Sequence, residues 1–254
     1  MPGGEPESDY RAVFWDIGGV VLDPDSVREA HEAFVRRVVA EHASDTSVGE
    51  EIETADAIET WRTAVGEYFR ARDGTEFRSA RRGYHRAVAE VVGEEIPEDE
   101  WRPLFEAATA GTLRPEPDAA ETVERLAETD LHVGVVSDVD TEEGLRILEE
   151  FGVRDRFDSI TTSEMVGRTK PDRRMFETAL EEAGLSPDAA PESVMIGDRY
   201  DHDMAGAKEL GLTTVAYGAE DGPAVDYEVE NLREVLAVVG VADRDDSTVE
   251  NREN

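Results

Sequence analysis

The distribution of apolar runs along the chain constrains its fold more than any other feature. One short run, Arg11 to Asp16, ends in Asp-Ile-Gly-Gly and reads as a buried strand followed by a tight loop. No further strand signal appears until after Gly111. Between Ser26 and Ala110 four stretches, Val27 to Glu41, Glu50 to Ala71, Phe77 to Val92 and Glu98 to Ala110, carry apolar residues at helical spacing. The rhythm then changes to alternation. Helices are predicted over Asp118 to Thr129, Thr141 to Phe151, Pro171 to Ala183, Asp201 to Leu210 and Leu232 to Val239. Strands are predicted between them over His132 to Ser137, Ser159 to Thr161, Ser193 to Ile196 and Thr213 to Tyr217. A strand-helix-strand crossover needs far fewer residues than the helical block supplies, so that block reads as an insertion. The predicted fold class is α/β: a doubly wound, mainly parallel, Rossmann-like sheet with an inserted all-helical cap. The expected core is 10–25 with 112–241, the cap 26–111, and 1–9 and 242–254 are expected to be flexible, charged or Pro/Gly-containing ends. Loops at the carboxyl ends of the strands should form the site.

Composition narrows the partners. The 61 acidic and 26 basic residues give a formal charge of -35, spread along the chain as a surface and not as one tail. Such a field repels nucleic acid and anionic membranes, so neither is expected as a partner. Molar salt screens charges over a few ångströms, and an acidic surface of this density fits a halophilic, archaeal source. The absence of cysteine excludes disulfides, thiolate catalysis and cysteine zinc sites. His31, His42, His85, His132 and His202 lack metal-ligand spacing and are expected to be surface or structural. No stretch reaches membrane-spanning length and the first residues lack a basic start and an apolar run, which predicts a cytoplasmic protein. Oligomeric state is not legible.

Polar groups recur just past predicted strands or at helix starts: Asp16, then Ser137 with Asp138, then Lys170, then Asp198 with Asp203. A carboxylate can attack phosphorus to give an aspartyl phosphate that water then hydrolyses, and Asp16 is placed for this. Two anions must meet, so a cation is required. Mg²⁺ favours one or two carboxylates plus substrate oxygens and water, which makes Asp198 the second carboxylate. Asp203 falls in the first turn of a helix that Asp201 should cap, from where it can turn back to the metal side. Ser137 and the following loop can hold a transferring phosphate. Lys170 precedes Pro171, which suits the first helical position, so its ammonium should project from a fixed helix start. Taken alone, Lys170 reads first as a surface lysine and each aspartate can be a turn or cap residue; the ordered set of four segments reverses that reading of Lys170. Trp15, Trp61 and Trp101 read as packing residues, and Arg78, Arg81, Arg82 and Arg86 as cations paired with neighbouring acids.

The segments VFWDIGGVVLD, VVSD, GRTKPDRRMF and IGDRYDHDMAGAKELG resemble, in order, the four motifs of the haloacid dehalogenase superfamily, over residues 11 to 218. The helical block sits where one branch of that family inserts its cap, and LRPEPDAAETVERL also looks like that branch. The resemblance implies a Mg²⁺-dependent phosphatase for a small phosphorylated metabolite such as a sugar phosphate. It implies Asp16 and Lys170 as catalytic residues, Ser137 and Asp138 as substrate-binding, and Asp16, Gly18, Asp198 and Asp203 as metal-side residues. One position departs from the pattern. Most phosphatases of the family carry a second aspartate where this chain has Gly18, which can offer the metal its carbonyl but cannot protonate a leaving oxygen. That loss is worth roughly two to four decades for a poor leaving group. Anomeric sugar oxygens and acyl phosphates are therefore the expected substrates. The alternatives are a haloacid dehalogenase, whose halide departs without a proton, and a non-catalytic metal-binding regulatory protein.

Overall fold

In the computed structural model residues 9–42 and 53–241 are described. The expected flexible ends at 1–8 and 242–254, and the predicted start of the second helix at Glu50, lie outside the described residues. Strand β1 (Ala12–Trp15) is followed by helices α1 (Pro24–His42), α2 (Thr54–Arg70), α3 (Ala80–Val92) and α4 (Glu98–Thr109). The alternating part runs α5 (Ala119–Ala127), β2 (His132–Ser137), α6 (Thr141–Glu150), β3 (Ser159–Thr162), α7 (Ser163–Val166), α8 (Arg173–Glu182) and β4 (Ser193–Gly197). It ends with α9 (Ala205–Leu210), β5 (Thr213–Tyr217), β6 (Tyr227–Val229) and α10 (Glu234–Val238). The strands form one parallel sheet in the order β3-β2-β1-β4-β5-β6.

Successive side chains of a strand point to opposite faces, and β1 shows the consequence. Val13 and Trp15 join a cluster with Val123 and Leu126 of α5, Leu148 of α6 and Val235 of α10. Ala12 and Phe14 face the other way, onto Met175, Phe176 and Leu180 of α8 and Ala207 of α9. Both faces are thus covered, which is why the central strands β1, β2 and β4 read as largely apolar runs. β1 pairs with β2 on one side and β4 on the other, so the strand order reverses at β1. The crevice beyond its carboxyl end is the natural binding position in an open sheet.

Helices α1 to α4 enclose a separate cluster built on Phe34, Trp61, Trp101 and Phe105, an inserted helical cap. All three tryptophans are buried, as packing residues should be. The segment before α3 and the start of α3 make one set of cap–core contacts. Asp140, at the start of α6, accepts from Ser79 Oγ at 2.6 Å and from the N–H groups of Ala80 at 2.9 Å and Arg81 at 3.2 Å, thereby capping α3 from the opposite domain. Phe77 N–H donates to Gly167 O and Thr169 N–H to Thr75 O, while Thr75 Oγ1 donates to Asp172.

Candidate active site

Asp16 follows β1 directly. Its N–H donates to Ile196 O at 3.0 Å, extending the ladder with β4, and the N–H of Ile17 donates to its Oδ1 at 2.8 Å. The side chain is buried, with Lys170 Nζ 3.0 Å from Oδ1 and Arg199 Nη2 3.6 Å from Oδ2. Burial pushes the Asp16 carboxyl above its ordinary value, with Asp203 and Asp138 adding to the effect against the pull of Lys170 and Arg199.

Lys170 is fully buried, donates to Val136 O at 2.9 Å and lies 2.5 Å from Asp203 Oδ1. Burial works against its charge, yet Asp16, Asp203 and Asp138 outweigh that and raise its pKa. The expected helix start at Pro171 is corrected. The Lys170–Pro171 peptide is cis and α8 begins at Arg173, where Asp172 accepts from the N–H of Arg174. Lys170 is anchored instead by Asp138, whose Oδ1 accepts its N–H at 2.8 Å. Oδ2 of Asp138 lies 3.1 Å from Arg199 Nη2 and 3.2 Å from His202 Nδ1. Burial opposes the Asp138 charge, but His202, Lys170 and Arg199 hold its pKa below the usual value. Ser137 is buried at the end of β2 beside it.

Asp198 follows β4. Burial, with Asp16 and Asp203, pushes its carboxyl up to about 6. Asp203 sits in a π turn, Tyr200–Met204, that leads into α9, and its Oδ2 accepts from the N–H of Arg199 at 3.0 Å. The expected cap by Asp201 does not form; Asp201 is exposed, and no side chain caps the turn. Two glycines are required by this crowding. A Cβ on Gly197 would stand 2.3 Å from Asp203 Cβ, and one on Gly19, at φ 74°, would stand 2.1 Å from Asp198 Oδ2. Gly18 is exposed, and a Cβ there would meet nothing within 4 Å.

Asp16, Asp198 and Asp203 can each turn an oxygen into one space, all within 4.8 Å of one another. Oδ1 of Asp198 is buried without a hydrogen-bond partner. An all-oxygen set with an unsatisfied buried carboxylate oxygen fits a hard divalent cation. Beside Asp138 and Arg199 a cavity of about 350 Å³ opens between cap and core. Arg199 and His202 are site residues that motif reading passes over. Arg199 follows the metal-side Asp198 immediately, and that adjacency was the available signal. His202 carried none, because only the backward turn after β4 brings it to Asp138. Among the cap arginines, Arg81 approaches Glu98 and Glu142, and Arg86 pairs with Glu90. Arg78 departs from that expectation, donating to the carbonyls of Tyr68 and Ala71 and lying over the Tyr68 ring.

Fold and site together define a capped, doubly wound α/β protein with a buried carboxylate and lysine at the switch point of its sheet. The family model for haloacid dehalogenase-like hydrolases matches residues 10–211, and the chain belongs to that family. A glyceraldehyde 3-phosphate phosphatase of Methanocaldococcus jannaschii is 35% identical over 133 residues, 50% of this chain and 57% of the relative. A ribulose-1,5-bisphosphate 5-phosphatase of Halopiger xanaduensis is 40% identical over 101 residues, 40% of this chain and 41% of the relative. The chain thus spans about half the length of the curated relatives it matches. A solved HAD phosphatase from Thermococcus onnurineus superposes with a TM-score of 0.68 at 23% identity, covering 91% of this chain and 98% of that one. A 2-haloacid dehalogenase from Pseudomonas syringae does so at 0.63 and 24%, covering 90% and 97%. These likenesses describe the fold alone.

Proposed function

We propose that the protein is a Mg²⁺-dependent phosphatase that transfers the phosphoryl group of a small metabolite to Asp16 and then to water. The observation that carries this reading is the buried Asp16, held by Lys170 at the end of β1 with Asp198 and Asp203 beyond it. Asp16, Asp198, Asp203 and the Gly18 carbonyl would hold the metal. The ion would supply charge stabilisation for the meeting of two anions. Lys170 offsets charge on Asp16 and the phosphoryl oxygens, Ser137 offers a hydroxyl to them, and Asp138 orients Lys170 and Arg199. The matched phosphatases of Methanocaldococcus and Halopiger are named for sugar phosphates, which supports a metabolite of modest size. The capped branch of the family, with the core at 10–25 and 112–241 and the cap at 26–111, gives the cap the task of choosing the substrate. A cytoplasmic, halophilic setting belongs to the same proposal. No described helix is long and apolar enough to cross a membrane, and activity should rise in molar salt.

Phosphate release from a substrate panel, with Mg²⁺ and with chelator, beside Asp16→Asn, tests the reading. Metal-dependent turnover that vanishes in the variant is expected. Gly18, with no side chain to protonate a leaving group, favours one second reading, a dehalogenase. Halide release from 2-haloacids, with phosphate esters inert, would replace the first reading by the second.

A further inference from the structure

The cavity beside Asp138 has a wall that the chemistry at Asp16 does not explain. It is formed by Val27 and His31 of α1, Phe77 before α3, Tyr84 of α3, Phe105 of α4 and Ile147 of α6. The charged groups around it are already engaged. Asp138 is held by Lys170, Arg199 and His202, Asp140 by the start of α3, and Glu143 by Arg146. Arg78 donates to two backbone carbonyls and Arg72 to Thr169 Oγ1 at 2.6 Å. His31 stands edge-on to Tyr84, ring centroids 5.2 Å apart, and to Trp61 at 5.8 Å, and burial lowers its pKa to about 4. It therefore adds an uncharged ring to the wall at neutral pH.

Beyond the Tyr84 hydroxyl, the His31 ring nitrogens and the remaining donors of Arg72, a polyol entering this space would set its hydroxyls against apolar side chains, at roughly tenfold or more in affinity for each one orphaned. A flat apolar body gains instead from burial and ring packing. A cavity of about 150 Å³ holds one benzene, so about 350 Å³ admits one or two rings. Gly18 points the same way independently, because a phenolic oxygen leaves without prior protonation far more readily than a sugar hydroxyl does.

We infer, resting on the phosphatase reading, that the preferred substrate is an aryl phosphate, a monoester of a phenolic hydroxyl on an apolar body of one or two rings. A carboxylate oxygen of Asp16 forms the new P–O bond as the P–O(aryl) bond breaks. The electron pair leaves on the aryl oxygen, which takes its proton from water. A second water then cleaves the aspartyl phosphate, releasing orthophosphate and restoring Asp16.

The full-length protein with Mg²⁺ in molar salt is assayed on phenyl and 1-naphthyl phosphate against ribose 5-phosphate and glyceraldehyde 3-phosphate. In parallel, binding of phenylphosphonate is compared with that of methylphosphonate, which needs no turnover. The expected result is kcat/KM at least a hundredfold higher for the aryl esters and phenylphosphonate bound at least tenfold tighter. Phe77→Ser should raise KM for phenyl phosphate and shrink the preference for phenylphosphonate over methylphosphonate. Sugar phosphates turned over as well as aryl phosphates, or the two phosphonates bound equally, would overturn the inference. No phosphate release from any ester, or release that survives Asp16→Asn, would overturn the phosphatase reading instead, and the phosphonate comparison would still decide the apolar site.

Discussion

The cap and the catalytic crevice are both buried, and they are built from opposite chemistry. In the cap the interior is rings: Phe34 meets Trp61 at 5.2 Å and Phe105 at 5.3 Å between centroids, and Tyr84 meets Phe105 at 5.2 Å. In the crevice the interior is charge: Lys170, Asp16 and Asp203 lie within salt-bridge distance with side chains 0%, 3% and 0% exposed. Ring packing is non-directional and tolerates exchange among apolar residues of similar volume. A buried charge cluster is held by mutual compensation, and removing one member leaves the others uncompensated. The cap can therefore drift toward new substrates while the crevice stays fixed.

Breaking the comparison starts in the crevice. Lys170→Met should destabilise the metal-free protein by roughly 3–5 kcal/mol, because Asp16 and Asp203 remain buried without their ammonium. Phe34→Leu in the cap should cost less, about 1–2 kcal/mol for the smaller side chain and its lost ring contacts. Denaturant unfolding of both variants measures the contrast, and equal losses would remove it. The cap should show its own pH sensitivity. The His31 pKa of about 4 lies below its ordinary 6.5, so the fold favours the neutral ring. The stability this contributes is complete above about pH 6.5 and is lost as pH falls toward 4, on the order of 3 kcal/mol in all. Unfolding midpoints between pH 7 and 4 should flatten in His31→Phe relative to the parent. Gly18→Asp should fold normally, since its Cβ meets nothing, and should raise turnover of alkyl phosphates by about two decades while leaving aryl phosphates unchanged. Asp140→Ala removes the link between α3 and the core, at about 1–2 kcal/mol for the lost cap interaction. It should raise KM more than it lowers kcat, as steady-state kinetics would show.

The same contrast explains what the sequence reveals. β2 and β5 have the predicted bounds, and β3 and β4 each run one residue further than predicted. β2 and β4, buried on both faces, are mostly apolar runs and the strongest one-dimensional signal in the chain, whereas β3 (Ser-Ile-Thr-Thr) and the Thr-Thr start of β5 were legible only from the alternation with the helices on either side. β6 went unseen because it is three residues at the sheet edge with Tyr227 and Glu228 exposed, so it carries no apolar run. Asp16, Ser137, Asp138, Lys170, Asp198 and Asp203 converge because each lies just past a strand or before a helix of one crevice. The depth of Lys170 was not legible. It depends on the turn between α7 and α8, which carries the ammonium inward to Val136 and is set by tertiary contacts. The apolar wall was equally hidden, since cap residues on different helices meet only once α1, α3 and α4 have packed.

The central claim is that Asp16 takes the phosphoryl group. It is tested most directly by quenching turnover of phosphate-labelled phenyl phosphate in acid and locating the label by peptide mapping. The account predicts a hydroxylamine-labile label on the peptide containing Asp16, formed with Mg²⁺ and absent in Asp16→Asn. Rapid phosphate release with no label on that peptide, or release undiminished in Asp16→Asn, would contradict it.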